Sequence, residues 1–71
     1  MIGTRIKEAM KKKGLTQYQL AARVYVEPST ISHYIKNKRG KSIDILVAIC
    51  KELDVSADYI LGLTDDMEVK R

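Results

Sequence analysis

The sequence predicts an all-α fold, a compact bundle of about five short helices, and three features point to it. Each segment with a recognisable pattern places apolar residues at the three- and four-residue spacing of a helix. Helix starts are signalled at Thr16, Pro28, Ser42 and Ser56, and stops at Gly14 and Gly62. The connections between these signals are short, as in helix bundles, and the chain contains no repeat, low-complexity tract or linker.

In the first helix, Ile2, Ile6, Ala9 and Met10 form the apolar stripe, and Gly14 follows where a left-handed cap is wanted. Lys11, Lys12 and Lys13 occupy its last turn, where the helix dipole favours cations. Thr16 caps a second helix that buries Leu20, Ala21 and Val24 and stops near Tyr25. Pro28 opens a third: its fixed dihedral suits a first turn, and it keeps Glu27 extended. Ile31 and either Tyr34 or Ile35 face inward there, leaving Ser29, Ser32, His33 and Lys36 outside. Asn37 is suited to a left-handed cap, and Lys38 to Lys41 form a basic loop around Gly40. Ser42 caps a fourth helix with Asp44 in its first turn and Leu46, Ile49, Cys50 and Leu53 as its core face, while Ile45, Val47 and Ala48 make it apolar nearly all round. Ser56 caps a short fifth helix through Leu61. Residues 64–71 lack helical or strand patterning and are expected to form a flexible tail beyond a single domain spanning residues 1–63.

With 71 residues the core is small, and association with a second copy would help stabilise it. The single Cys50 rules out an internal disulfide, and no Cys/His set has zinc-site spacing. No apolar run approaches the roughly 20 residues of a membrane span, and the opening MIGTRIKEAMKKK lacks the apolar region of a secretory signal. A cytoplasmic protein is expected, with Met1 and the charged ending Glu68-Val69-Lys70-Arg71 as its termini. Catalysis lacks parts: His33 is the one histidine, Cys50 falls on a core face, and neither paired acids nor a phosphate-cradling glycine loop accompanies them. The net charge of +4 is unevenly spread. Up to Lys41 only Glu8 and Glu27 oppose Arg5, Lys7, Lys11, Lys12, Lys13, Arg23, Lys36, Lys38, Arg39 and Lys41; from Ser42 onward acids outnumber bases. Such a split suits a module that lays one face on nucleic acid, although solvated helix surfaces also carry charge blocks.

The stretch from residue 16 to residue 36 resembles the helix-turn-helix of the phage-repressor and Cro family, also called Xre-like. The resemblance lies in Gln17, Leu20-Ala21, Val24, Val26, Ser29-Thr30-Ile31-Ser32 and the following Lys38-Arg39. It extends to Ile2-Gly3 with Arg5-Ile6, and to Leu53 through Tyr59 with Leu61-Gly62-Leu63, so it covers about residues 2–63. It implies a lambda-repressor-like DNA-binding domain whose third helix enters the major groove. Pro28, Ser29, Ser32 and His33 would then read base edges: hydroxyls and imidazole by hydrogen bonds, proline by apolar contact. Ser29, Thr30 and Ser32 have a local alternative, since such hydroxyls often serve the helix start. Gln17 would grip a phosphate at the start of the second helix, with Tyr18 beside it. Thr30, Lys36, Asn37, Lys38, Arg39 and Lys41 would hold the flanking backbone. The family pairs its subunits near the fifth helix, which places Tyr59, Leu61 and Leu63 at a two-fold interface.

Two departures from the family stand out. Tyr25 occupies the turn where the family has glycine, so the turn either holds a tyrosine at positive φ or changes its geometry. Met10 and Ile35 stand where members carry an arginine and a glutamate, an ion pair exchanged for two apolar groups expected to touch. The function implied is a sequence-specific transcriptional regulator, a dimeric repressor or Cro-like switch on double-stranded DNA with an inverted-repeat operator. No cofactor, small-molecule ligand or membrane is expected. The alternative is a protein-binding module of the same fold, an antitoxin-like or anti-regulator partner.

Overall fold

The computed structural model describes residues 2–36 and 42–69, and all regular structure among them is helical. The helices are α1 (Ile2–Lys13), α2 (Gln17–Arg23), α3 (Pro28–Lys36), α4 (Ile43–Leu53) and α5 (Ala57–Leu61). Three begin at the hydroxyl caps read from the sequence. Thr16 forms a reciprocal box with Gln19: its Oγ1 accepts from the Gln19 N–H at 3.1 Å, and its own N–H donates to Gln19 Oε1 at 2.9 Å. Ser42 Oγ accepts from Ile45 N–H at 3.4 Å, and Ser56 Oγ from Asp58 N–H at 3.1 Å.

Helix ends share one device. After α1, α2, α4 and α5 a residue enters the left-handed region, its N–H and the next returning to the last turn in paired hydrogen bonds. Gly14 and Leu15 bond to Lys11 and Met10, and Gly62 and Leu63 to Tyr59 and Asp58. Asp54 and Val55 bond to Lys51 and Cys50; Tyr25 and Val26 bond to Ala22 and Ala21. The four pivots have φ of 71° (Gly14), 60° (Tyr25), 52° (Asp54) and 84° (Gly62). Glycine is at ease there and a short Asx side chain is tolerated; a tyrosine costs about 1–2 kcal/mol. Of the two outcomes open at Tyr25, the turn therefore keeps its geometry and carries the strain.

Each helix sends a side chain to full burial: Ile6, Leu20, Ile31, Ile49 with Leu53, and Ile60. Each such burial contributes roughly 1.5–3 kcal/mol before conformational entropy is counted. On α3 the deeper of the two candidate residues is Tyr34, while Ile35 packs half-buried at the core edge. The Tyr34 hydroxyl donates to the Ser42 carbonyl at 3.2 Å, tying α3 to the start of α4. Gly3 allows α1 to lie against the end of α3, because a β-carbon there would collide with the Ile35 carbonyl oxygen.

The segment after α5 has specific attachments. Arg5, on α1, donates to the Tyr59 carbonyl at 2.9 Å, the Thr64 carbonyl at 2.6 Å and Asp65 Oδ1 at 2.8 Å, and its guanidinium lies 4.5 Å from the centre of the Tyr59 ring. Farther on, the Ser56 N–H donates to the Met67 carbonyl at 3.0 Å, and Met67 packs against the core. Among the described residues no helix is long and apolar enough to cross a membrane.

Candidate nucleic-acid interface

A helix can offer one face to a ligand only if its opposite face is firmly held, and α3 meets that condition. Ile31 and Tyr34 anchor it in the core, and α2 packs closely along it. Ser29, His33 and Lys36 are exposed on the other side, with Pro28, Thr30 and Ser32 half-exposed beside them. The four residues expected to read bases thus lie in the first six positions of one helix, reachable from solvent. The turn into α3 is closed by the backbone, Thr30 N–H donating to the Glu27 carbonyl at 2.9 Å.

Gln17 and Tyr18 are the first two residues of α2, half-exposed and exposed respectively. The capping box engages the N–H groups of Thr16 and Gln19 and leaves those of Gln17 and Tyr18 outside it. This helix end carries a positive partial charge and amide donors, the combination that attracts a phosphate. Asn37, Lys38, Arg39 and Lys41, expected to hold the flanking backbone, lie outside the described residues.

The charge split along the chain is not wholly a split in space. Arg23 reaches across to Glu52 at 3.2 Å and Arg5 to Asp65 at 2.8 Å, so two cations of the basic half are matched by acids of the other half. Lys36, at the end of α3, is exposed beside the polar face of that helix.

The three residues expected at a two-fold interface differ in exposure within the protomer. Tyr59 is buried within the protomer under the Arg5 guanidinium, so its ring belongs to the monomer's own packing. Leu61 and Leu63 are exposed by 44% and 75%. The residue after the pivot is turned toward the core at Leu15, Val26 and Val55, whereas Leu63 points outward. Sequence reasoning missed Arg5 as an organising side chain, because its acceptors are mostly backbone carbonyls about 60 positions away, which no local pattern marks.

Similarity to known proteins agrees with this geometry. A helix-turn-helix family matches residues 6–60. The chain is 38% identical over 66 residues to YobD of Bacillus subtilis (strain 168), described as an uncharacterized HTH-type transcriptional regulator, covering 93% of this chain and 59% of that protein. It is 34% identical over 61 residues to the HTH-type transcriptional regulator ImmR of the same organism, covering 86% of this chain and 48% of that protein. The chain thus spans about half the length of these relatives. With the match running from Ile6 in α1 to Ile60 in α5, the protein belongs to the helix-turn-helix family of Xre/Cro type.

Proposed function

We propose that the protein is a DNA-binding transcriptional regulator that places α3 in the major groove of double-stranded DNA. The observation that carries this reading is the polar face of α3, exposed over a buried Ile31–Tyr34 anchor in a helix-turn-helix chain. In this reading Pro28, Ser29, Ser32 and His33 meet base edges, while Gln17, Tyr18, Thr30 and Lys36 hold phosphates and fix the register. Asn37, Lys38, Arg39 and Lys41 extend the backbone contacts. The regulator acts as a homodimer, with Leu61 and Leu63 supplying exposed apolar surface near the two-fold axis. Two copies of α3 would then meet half-sites about 34 Å apart on an inverted repeat.

DNA selection with the purified protein tests the reading, and enrichment of a short inverted repeat is the expected result. On that duplex His33→Ala should cost about 1–3 kcal/mol and have little effect on random DNA. Lys38→Ala and Arg39→Ala should weaken both duplexes alike and each lower the salt slope by about one. Recovery of no preferred sequence would overturn the reading.

One observation favours a second reading, a protein-binding module. Ile43 and Val47, one turn apart on α4, are exposed by 69% and 46% and form an apolar strip outside the core. A chain that selects no DNA yet loses a protein partner on Val47→Lys would fit that alternative.

A further inference from the structure

We infer that Tyr25 contacts DNA, its phenol hydroxyl donating to a backbone phosphate at the edge of the groove that α3 would occupy; this rests on the function proposed above. Among the described residues four helix ends use a left-handed pivot, and three of them have residues suited to it, Gly14, Asp54 and Gly62. Among the described residues only the turn between α2 and α3 uses a residue that resists the conformation.

Among the described residues nothing offsets that strain. Tyr25 is 93% exposed, the most exposed large apolar or aromatic residue among those described, so burial gains almost nothing there. Nor is the backbone free to relax. Val24 and Val26 on either side pack against the core, and the paired bonds to Ala22 and Ala21 fix the turn. A strained, over-determined residue with a fully presented side chain is the pattern of a functional position.

Location selects the ligand. Tyr25 lies three residues before Pro28, the first of the proposed base-reading positions. At roughly 1.5 Å per residue, α2 is about 10 Å long, so Tyr18 and Tyr25 stand near its opposite ends. Tyrosine is among the side chains that donate to phosphate oxygens, and its two torsions leave little freedom to lose on contact. A lysine here would meet the exposed carboxylate of Glu27 nearby in sequence; a neutral phenol keeps its donor for an outside acceptor.

The test uses the full chain, the duplex enriched by selection and an unrelated duplex, with Tyr25→Gly and Tyr25→Phe measured for melting temperature and affinity. Tyr25→Gly should melt above wild type yet bind both duplexes roughly tenfold more weakly. Tyr25→Phe should melt as wild type and show a similar loss on both. The salt slope should stay unchanged, because a neutral hydroxyl displaces no counterion. Wild-type binding by both variants would overturn the Tyr25 assignment and leave the proposed function standing. A loss in Tyr25→Gly without one in Tyr25→Phe would also overturn it, because the contact would then be made by the ring and not by the hydroxyl. Failure of the wild type to enrich any duplex would remove the proposed function, and this inference with it.

Discussion

Replacing Gly3 with alanine should destabilise this protein, against the ordinary rule for helices. On propensity alone, alanine in place of glycine within a helix gains roughly 1 kcal/mol. Gly3 is buried in the first turn of α1, where the added methyl would overlap the Ile35 carbonyl oxygen and crowd the Ile35 side chain. The main obstacle is backbone in α3, which cannot swing aside as a flexible side chain would. Either α1 tilts or α3 is displaced, and forced overpacking of this kind typically costs about 1–3 kcal/mol. Because the obstacle is backbone, the cost falls in the upper part of that range, about 2–3 kcal/mol, so it outweighs propensity and leaves a net loss of about 1–2 kcal/mol. For a domain of this size that lowers the melting temperature by on the order of 4–15 °C. Thermal unfolding followed by circular dichroism, with Thr4→Ala on the exposed face of the same helix as control, reads this directly. The control should melt at or slightly above wild type. Gly3→Ala melting as high as wild type would refute the inferred α1–α3 contact.

Three other outcomes are expected. Arg5→Met should lose about 1–3 kcal/mol and speed amide exchange at residues 64–67, whereas Asp65→Ala should do little, because the salt bridge is exposed on the Asp65 side and the buried part of the node is two backbone carbonyls. Melting curves with hydrogen exchange distinguish the two, and equal effects would contradict this division. Burial pushes the Cys50 thiol and the Tyr34 phenol above their ordinary pKa values. Both groups therefore prefer their neutral forms when folded, and their contribution is complete below the ordinary thiol value and lost as pH rises through the raised values. Stability measured by denaturant titration should thus fall at alkaline pH, and Cys50→Ala should remove part of that slope. Finally, Ile35→Glu should be strongly destabilising by placing a lone charge at the core edge, and adding Met10→Arg should recover part of the loss if the two residues touch. A double mutant as unstable as Ile35→Glu alone would count against that contact.

Elements whose signals are local were legible in the sequence. Thr16, Ser42 and Ser56 begin helices because a hydroxyl needs only an amide two or three residues on, and Pro28 because its own ring sets the dihedral. Gly14 and Gly62 announce pivots for a similar reason. Asp54 makes the same turn without glycine and was not readable as a stop. The exposed polar face of α3 was legible because amphipathic spacing fixes both sides of a helix at once. What the sequence could not show are contacts that only tertiary packing creates: Arg5 on the Tyr59 and Thr64 carbonyls, the Tyr34 hydroxyl on Ser42, and Met67 bonded back to Ser56. The burial of Tyr59 is of the same kind. Its ring lies under the Arg5 guanidinium, a partner far away in sequence.

The Arg5 node brings the front and back of the domain side by side, since one side chain on the first turns of α1 grips Thr64 and Asp65. A domain whose entry and exit lie together makes a self-contained cassette. Joining such neighbouring ends and opening the chain elsewhere is the geometry that circular permutation exploits, and splicing the unit into a host loop demands little separation of the host's flanks. Arg5 in this sense marks a seam, the place where the two ends of this fold are tied together.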